Sequence, residues 1–148
     1  MISFQQVIDF MSAKLATMPS GYLPKWLLFI SVVSVFNSIQ TYISGLELTR
    51  KVYENSPQEV TPLSARTFGT WTLISSFIRL YGALHLNENH VFQLTFISYT
   101  IALLHFSSEL LIYRTCKIGK GILGPLIVAT TSLTWMYCQK EYYTGLGW

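Results

Sequence analysis

Four long apolar stretches dominate the chain and decide what it can fold into. They run from about Leu23 to Gly45, Thr67 to Leu86, Val91 to Tyr113 and Ile118 to Cys138. Each approaches the roughly 20 residues with which an α-helix crosses the apolar core of a bilayer. The composition agrees: 11% of the 148 residues are charged and 51% hydrophobic, against about 25% charged in a soluble domain. Aromatic residues make up 15%, many at the ends of apolar runs, where amphipathic rings favour the membrane–water interface. The first stretch starts too far in and runs too long for a cleaved signal peptide, so it reads as a retained span. Gly121, Gly124 and Pro125 interrupt the start of the fourth. Its helix is therefore expected either to begin at Gly124 and stay short, or to begin earlier and kink.

Ahead of the first span, Phe4, Val7, Ile8, Met11, Leu15 and Met18 recur at helical spacing, with Gln5, Gln6, Asp9 and Lys14 off that stripe. This predicts an amphipathic helix lying in the interface, broken by Met18-Pro19-Ser20-Gly21. The longest polar connection is Leu46 to Ala65. Asn87 to His90 forms a tight turn and Arg114 to Lys120 a short basic loop. The expected fold is all-α: one membrane domain over residues 1–148, a polytopic four-helix transmembrane bundle with an amino-terminal amphipathic interfacial helix. With four spans, Arg50, Lys51, Arg66, Arg114, Lys117 and Lys120 share one side, and Lys14, Lys25 and Lys140 the other. The positive-inside tendency then places loops 46–65 and 114–120 in the cytosol and both termini in the lumen.

Membrane helices gain nothing by burying Leu against Leu and associate instead through small and polar residues. The first span carries Ser31, Ser34, Ser38, Thr41 and Gly45, separated by 3, 4, 3 and 4 positions, with Asn37 and Gln40 near that seam. The seam is a packing face, toward this bundle, a second copy or another protein. Arg79 lies deep in the second span, and His105 and Glu109 lie one turn apart in the third. Counted from the turn near residue 88, Arg79 is about nine residues in and Glu109 about 21, a vertical gap of roughly 18 Å at about 1.5 Å per residue. Arg79 is thus level with Ser98 and Tyr99, from where it could snorkel toward the 87–90 turn. Arg66 is level with Glu109, which predicts an Arg66–Glu109 pair near the cytosolic boundary.

Chemistry is harder to find. The three histidines, His85, His90 and His105, share no metal-ligand spacing, and His105 with Glu109 is half a site. Gly119-Lys120-Gly121-Ile122-Leu123-Gly124 matches G-x-G-x-x-G, but a span precedes it and Pro125 with another span follows. Nucleotide binding needs a strand before and an acidic residue about 20 positions on, so close packing and a loop explain these glycines better. Cys116 and Cys138 flank the last span, roughly 33 Å apart along a helix, too far for a disulfide. No basic cluster interleaved with aromatics suggests nucleic acid. No catalytic residue, cofactor site or metal site is expected.

Several strings carry a resemblance: Gly21-Tyr22-Leu23-Pro24-Lys25-Trp26-Leu27-Leu28-Phe29-Ile30, Phe36-Asn37-Ser38-Ile39-Gln40-Thr41-Tyr42, Leu63-Ser64-Ala65-Arg66-Thr67-Phe68-Gly69-Thr70-Trp71-Thr72 and Arg79-Leu80-Tyr81-Gly82-Ala83. Ser108-Glu109-Leu110-Leu111-Ile112-Tyr113-Arg114-Thr115 and Glu141-Tyr142-Tyr143-Thr144-Gly145 continue it. Together they resemble the ergosterol biosynthetic protein 28 family over nearly the whole chain, fading in the first 20 residues. The resemblance implies a multi-pass endoplasmic-reticulum membrane protein that is not itself an enzyme. It implies a scaffold tethering a sterol C-4 methyl oxidase, an NAD-dependent sterol-4-carboxylate decarboxylating dehydrogenase and an NADPH-dependent 3-keto sterol reductase. A sterol C-24 methyltransferase is implied as an associate. The competing expectation is a sterol-binding or sterol-transforming protein with Arg79, His105 and Glu109 lining a midplane cavity.

Overall fold

The computed structural model describes residues 3–43 and 45–148, apart from the side chains of Phe10 and Met11. Its elements are helices: α1 (Phe4–Ala16), α2 (Tyr22–Ile43), α3 (Glu47–Val52), α4 (Pro62–Leu84), α5 (Asn89–Leu111) and α6 (Lys120–Thr144). No strand occurs among the described residues.

Local chemistry sets the ends. Ser3 Oγ accepts from the Gln6 amide at 3.2 Å while Gln6 Oε1 accepts from the Ser3 amide at 2.8 Å. This reciprocal capping box starts α1. Phe4, Val7, Ile8 and Leu15 are exposed along one stripe, and Met11 of that stripe lies outside the described side chains. Gly21, at φ +111°, turns the chain into α2, a backbone conformation open to glycine. Thr61 and Ser64 form a second capping box at 3.1 and 2.9 Å with Pro62 in the first turn. That box carries α4 back to Pro62, about five residues before its apolar run at Thr67. The fourth stretch begins earlier than Gly124 without a side-chain cap: α6 starts at Lys120, holds Pro125 inside it and continues past Cys138 to Gly145, a left-handed cap at φ +67°.

By length and composition, α2, α5 and α6 are each able to cross a membrane. α4 is as long as α5, 23 residues, but Arg66 and Arg79 make it less apolar. The four long helices alternate in direction. The 85–88 turn joins α4 to α5 at one end. At the other, Asn55 Nδ2 donates to the carbonyls of Arg114 and Cys116 at 3.1 Å each, and Lys117 pairs with Glu54 at 3.2 Å.

α2 and α4 make the most extensive packing in the molecule. Ser38 and Thr41 are buried on α2, and Ser38 Oγ donates to the Gly69 carbonyl. A Cβ on Gly69 would overlap Thr41 Oγ1 and crowd Tyr42, so only glycine lets these backbones come this close. α5 packs on a neighbouring part of the α4 surface, and α6 on α5. α6 returns to α2 at one end, where Trp26 Nε1 donates to Ser132 Oγ at 2.9 Å and the Tyr143 hydroxyl to the Ser20 carbonyl at 3.1 Å. At the other end Gly121 lies against the Lys51 backbone with no room for a Cβ, so α3 presses on α6. The glycine string 119–124 thus serves as a loop and a close helix contact.

Replacing Gly69 by Leu should force α2 and α4 apart and cost about 1–3 kcal/mol, the usual scale of overpacking. Adding Thr41→Ala to the smaller Gly69→Ala change should recover part of the lost stability. Thermal unfolding of the chain in detergent measures both, and additive losses in the double variant would contradict the contact.

Candidate intramembrane site

The middle of the bundle is organised around Arg79. α4 delivers its side chain to α5, where Nε donates to Ser98 Oγ at 3.3 Å and Nη2 to the Ser98 carbonyl at 3.0 Å. Ser98 can accept because its own hydroxyl proton is given to the Thr95 carbonyl at 2.7 Å. The guanidinium carbon lies 4.0 Å from the centroid of the Tyr99 ring, a cation–π geometry. Arg79 is 7% exposed, so it does not reach out to the 87–90 turn. The level with Ser98 and Tyr99 read from depth counting is the level observed. No carboxylate joins it: the ion pairs among the described residues are His85–Glu88 and Lys117–Glu54. The cation therefore sits inside the bundle on a carbonyl, a hydroxyl and a π face alone.

Beside it α2, α3, α4, α5 and α6 line a cavity of about 320 Å³. Its walls are mostly apolar, including Ile30, Phe68, Phe106 and Ala129. Its polar side chains are Arg79, Ser34, Asn37, Thr41, Thr72 and Ser75, with Tyr99 alongside. The seam of α2 is thus divided. Ser31 is buried and donates to the Leu27 carbonyl at 2.6 Å, Ser38 packs on α4, and Thr41 packs on α4 at the edge of the cavity. Ser34 and Asn37 face the cavity, Gln40 is half-buried, and Gly45 is exposed beyond the helix at φ +71°.

A second polar cluster lies nearer the loops. His105 Nε2 and the Tyr53 hydroxyl are 2.8 Å apart, with the imidazole held edge-on to Tyr53 and Trp71. Glu109 accepts a hydrogen bond from the Thr115 hydroxyl. Glu109, Tyr53, Glu59 and Thr115 line a smaller cavity of about 190 Å³. Burial pushes the Tyr53 phenol up, with Glu109 adding to it, and burial likewise raises the Cys116 thiol. Both groups are therefore neutral at physiological pH, Tyr53 as a hydrogen-bonding phenol and Cys116 as an inert thiol. Among the described residues no three His, Cys, Asp or Glu side chains gather closely enough to hold a metal ion.

Two expectations need correction. Arg66 is exposed and makes no ion pair with Glu109. Depth counting fixes a residue's level but not its direction. At about 100° per residue, the 13 positions between Arg66 and Arg79 rotate the two roughly 140° apart. Since Arg79 faces α5, Arg66 points away from it, and Glu109 turns to Thr115 of the following loop. Nor do Arg79, His105 and Glu109 share one cavity: Arg79 lines the large one, and Glu109 the small one.

Sequence reasoning missed the partners that come from distant turns. Tyr53 reaches His105 from 52 positions away, and Trp26 reaches Ser132 across 106. Lys140, counted as a loop charge, is 7% exposed, donates to the Gly147 carbonyl at 2.6 Å and sits 4.3 Å from the Trp148 ring centroid. A Lys and Trp eight positions apart around Gly145 were the available signal.

Arg79→Leu should loosen α5 from α4 less than removal of the Ser98 acceptors would suggest, because the buried charge disappears with them. Arg79→Gln, which keeps polarity without charge, should retain the fold, as read by an unchanged proteolysis pattern in detergent. Collapse of both variants would show that the charge itself is required for folding.

Comparison with known proteins places this bundle. A family model described as Erg28 like protein matches residues 23–134, from the first turn of α2 to the middle of α6. Ergosterol biosynthetic protein 28 of Saccharomyces cerevisiae is 70% identical over 148 residues, covering 100% of both chains. That of Schizosaccharomyces pombe is 39% identical, over 92% of this chain and 98% of its own. The Homo sapiens ergosterol biosynthetic protein 28 homolog is 37% identical over 120 residues, 81% of this chain and 86% of its own. No solved structure matches. With the family model covering all but the amino-terminal helix and the end of α6, the chain belongs to the ergosterol biosynthetic protein 28 family.

Proposed function

We propose that the chain is a non-catalytic scaffold of the endoplasmic-reticulum membrane in ergosterol biosynthesis. It holds the sterol C-4 methyl oxidase, the sterol-4-carboxylate decarboxylating dehydrogenase and the 3-keto sterol reductase together, with the sterol C-24 methyltransferase associated. The observation that carries this is the full-length match to a relative named for ergosterol biosynthesis. The separation of Arg79 from His105 and Glu109 supports it, since acid–base chemistry needs groups within hydrogen-bond reach of one substrate. Tethering needs no such convergence. It raises the effective concentration of neighbouring enzymes to about the millimolar range for short links.

In this reading all four long helices cross the membrane. α4 lies lengthwise between α2 and α5 and alternates with them in direction, so it shares their depth. Its two arginines are accommodated differently, Arg79 by α5 and Arg66 at a helix end. α1 lies in the interface on its exposed apolar stripe. Loops 46–61 and 112–119 face the cytosol and both termini the lumen, since sequestering Lys140 lowers the effective positive charge on the terminal side further.

An asparagine-linked glycosylation acceptor added after Trp148 should be modified in microsomes, and one placed in loop 53–60 should not; the reverse pattern would invert the topology. Cells lacking the chain should accumulate 4-methylated or oxidised sterol intermediates while still making some end product, as measured by sterol mass spectrometry. Affinity purification of the tagged chain should recover the oxidase, dehydrogenase and reductase. A normal sterol profile without the chain, or turnover of a 4-methyl sterol by the purified chain alone, would overturn the scaffold.

A further inference from the structure

An ionised side chain inside a membrane bundle is costly unless a counter-charge meets it. Arg79 offers five N–H donors, and Ser98 takes two of them. The others have no acceptor within the chain among the described residues, and no carboxylate approaches. The same side chain lines the cavity of about 320 Å³. On that cavity Ser34, Asn37 and Ser75 also line the wall, and among the described residues none of the three hydrogen-bonds within the chain. Ser75 is one helical turn from Arg79, and Ser34 lies on the facing helix at the level set by the Ser38–Gly69 contact.

The cavity also has a direction. α2 and α6 are clasped at one end by Trp26–Ser132 and Tyr143–Ser20, and α3 presses on α6 at the other. Between these contacts the lining residues Val33, Asn37 and Gly124 are exposed. The opening is therefore lateral, between α2 and α6, and with the four long helices spanning the membrane it faces the bilayer rather than either aqueous side. What enters by that route is itself dissolved in lipid.

We propose that this cavity binds a membrane-borne amphiphile, an apolar body bearing a carboxylate, with the carboxylate on Arg79 and the body along Ile30, Phe68, Phe106 and Ala129. A guanidinium fork matches a carboxylate in shape and cancels its charge. The neutral hydroxyl of Ser75, one turn from Arg79 on the same cavity wall, suits the remaining lone pairs of a monoanion better than those of a larger polyanion. The inference rests on the reading that the four long helices cross the membrane but not on the scaffold: it concerns what this chain holds, not which proteins it joins. A steroid acid and a straight-chain fatty acid share the required chemistry.

The test uses the full chain in phosphatidylcholine nanodiscs with four diazirine probes: a steroid carboxylic acid, hexadecanoic acid and the methyl ester of each. At least one acid should label cavity residues of α2, α4, α5 or α6 saturably, at least tenfold above its ester. Labelling by the steroid acid alone assigns a rigid ring body, and labelling by both acids assigns carboxylate lipids in general. Arg79→Gln should reduce the labelling at least tenfold. Gly124→Phe should block it without unfolding the chain, as read by thermal unfolding, because a Cβ there meets nothing within 4 Å and the ring can turn into the cavity mouth. This second variant decides the matter if Arg79→Gln does not fold. Equal labelling by acid and ester, labelling spread over the outer helix faces, or labelling untouched by Gly124→Phe would each overturn the proposal.

Discussion

The close approach of α2 to α4 is the contact from which the rest of the bundle is built. In lipid, apolar burial does not drive helices together, so backbone proximity and polar contacts must. Gly69 supplies the proximity, Thr41 fills the space a Cβ would take, and the Ser38 hydroxyl ties the two helices through the Gly69 carbonyl. With α4 fixed on α2, a neighbouring part of its surface is committed to α5. That face carries Trp71 against Phe106 and Arg79 against Ser98 and Tyr99. α6 is then placed by α5 and closes on α2 at one end and on α3 at the other, so the bundle has an inside space and a side entrance.

Much of this was legible in the residues. The three helices long and apolar enough to cross a membrane, α2, α5 and α6, follow from the length of apolar runs, and the level of Arg79 with Ser98 and Tyr99 follows from the rise of a helix counted from a tight turn. The small-residue seam of α2 marked a packing face, although its periodicity could not tell Ser38, which meets α4, from Ser34, which faces the cavity. What failed was direction around the helix axis: Arg66 and Glu109 share a depth but not a face. Ends failed for another reason. Capping by Thr61 and Ser64 at the start of α4, and the left-handed cap at Gly145 after α6, extend helices into sequence that hydropathy alone leaves out. The Tyr53–His105 contact and the Lys140–Trp148 contact depend on how loops fold back, and no local pattern specifies that.

The arrangement also separates two kinds of polar group. His105, Tyr53, Glu109 and Thr115 hold one another near the loops at residues 53–60 and 112–117, and their hydrogen bonds account for them as structure. Arg79 is different, since its charge is left without a counter-charge in the most protected part of the molecule. A bundle that needed Arg79 only as a helix clamp could have used a neutral donor to reach the Ser98 carbonyl. Retaining a full charge beside a laterally open apolar space is what gives this site its chemical character, while the outer helix faces expose large apolar side chains such as Phe29, Phe36, Phe77 and Leu104.

Tethering as the mode of action is tested most directly by replacing the tether. In cells lacking the chain, the C-4 methyl oxidase, the decarboxylating dehydrogenase and the 3-keto reductase can be joined to one another by flexible linkers of about 20–30 residues, which hold neighbours at high effective concentration. Sterol composition is then measured against cells carrying the same three enzymes unlinked. A scaffold predicts that the linked enzymes clear the 4-methylated and oxidised intermediates in its absence, while the unlinked enzymes do not. Intermediates that persist equally in both strains, with the linked enzymes individually active, would show that the chain contributes something other than proximity.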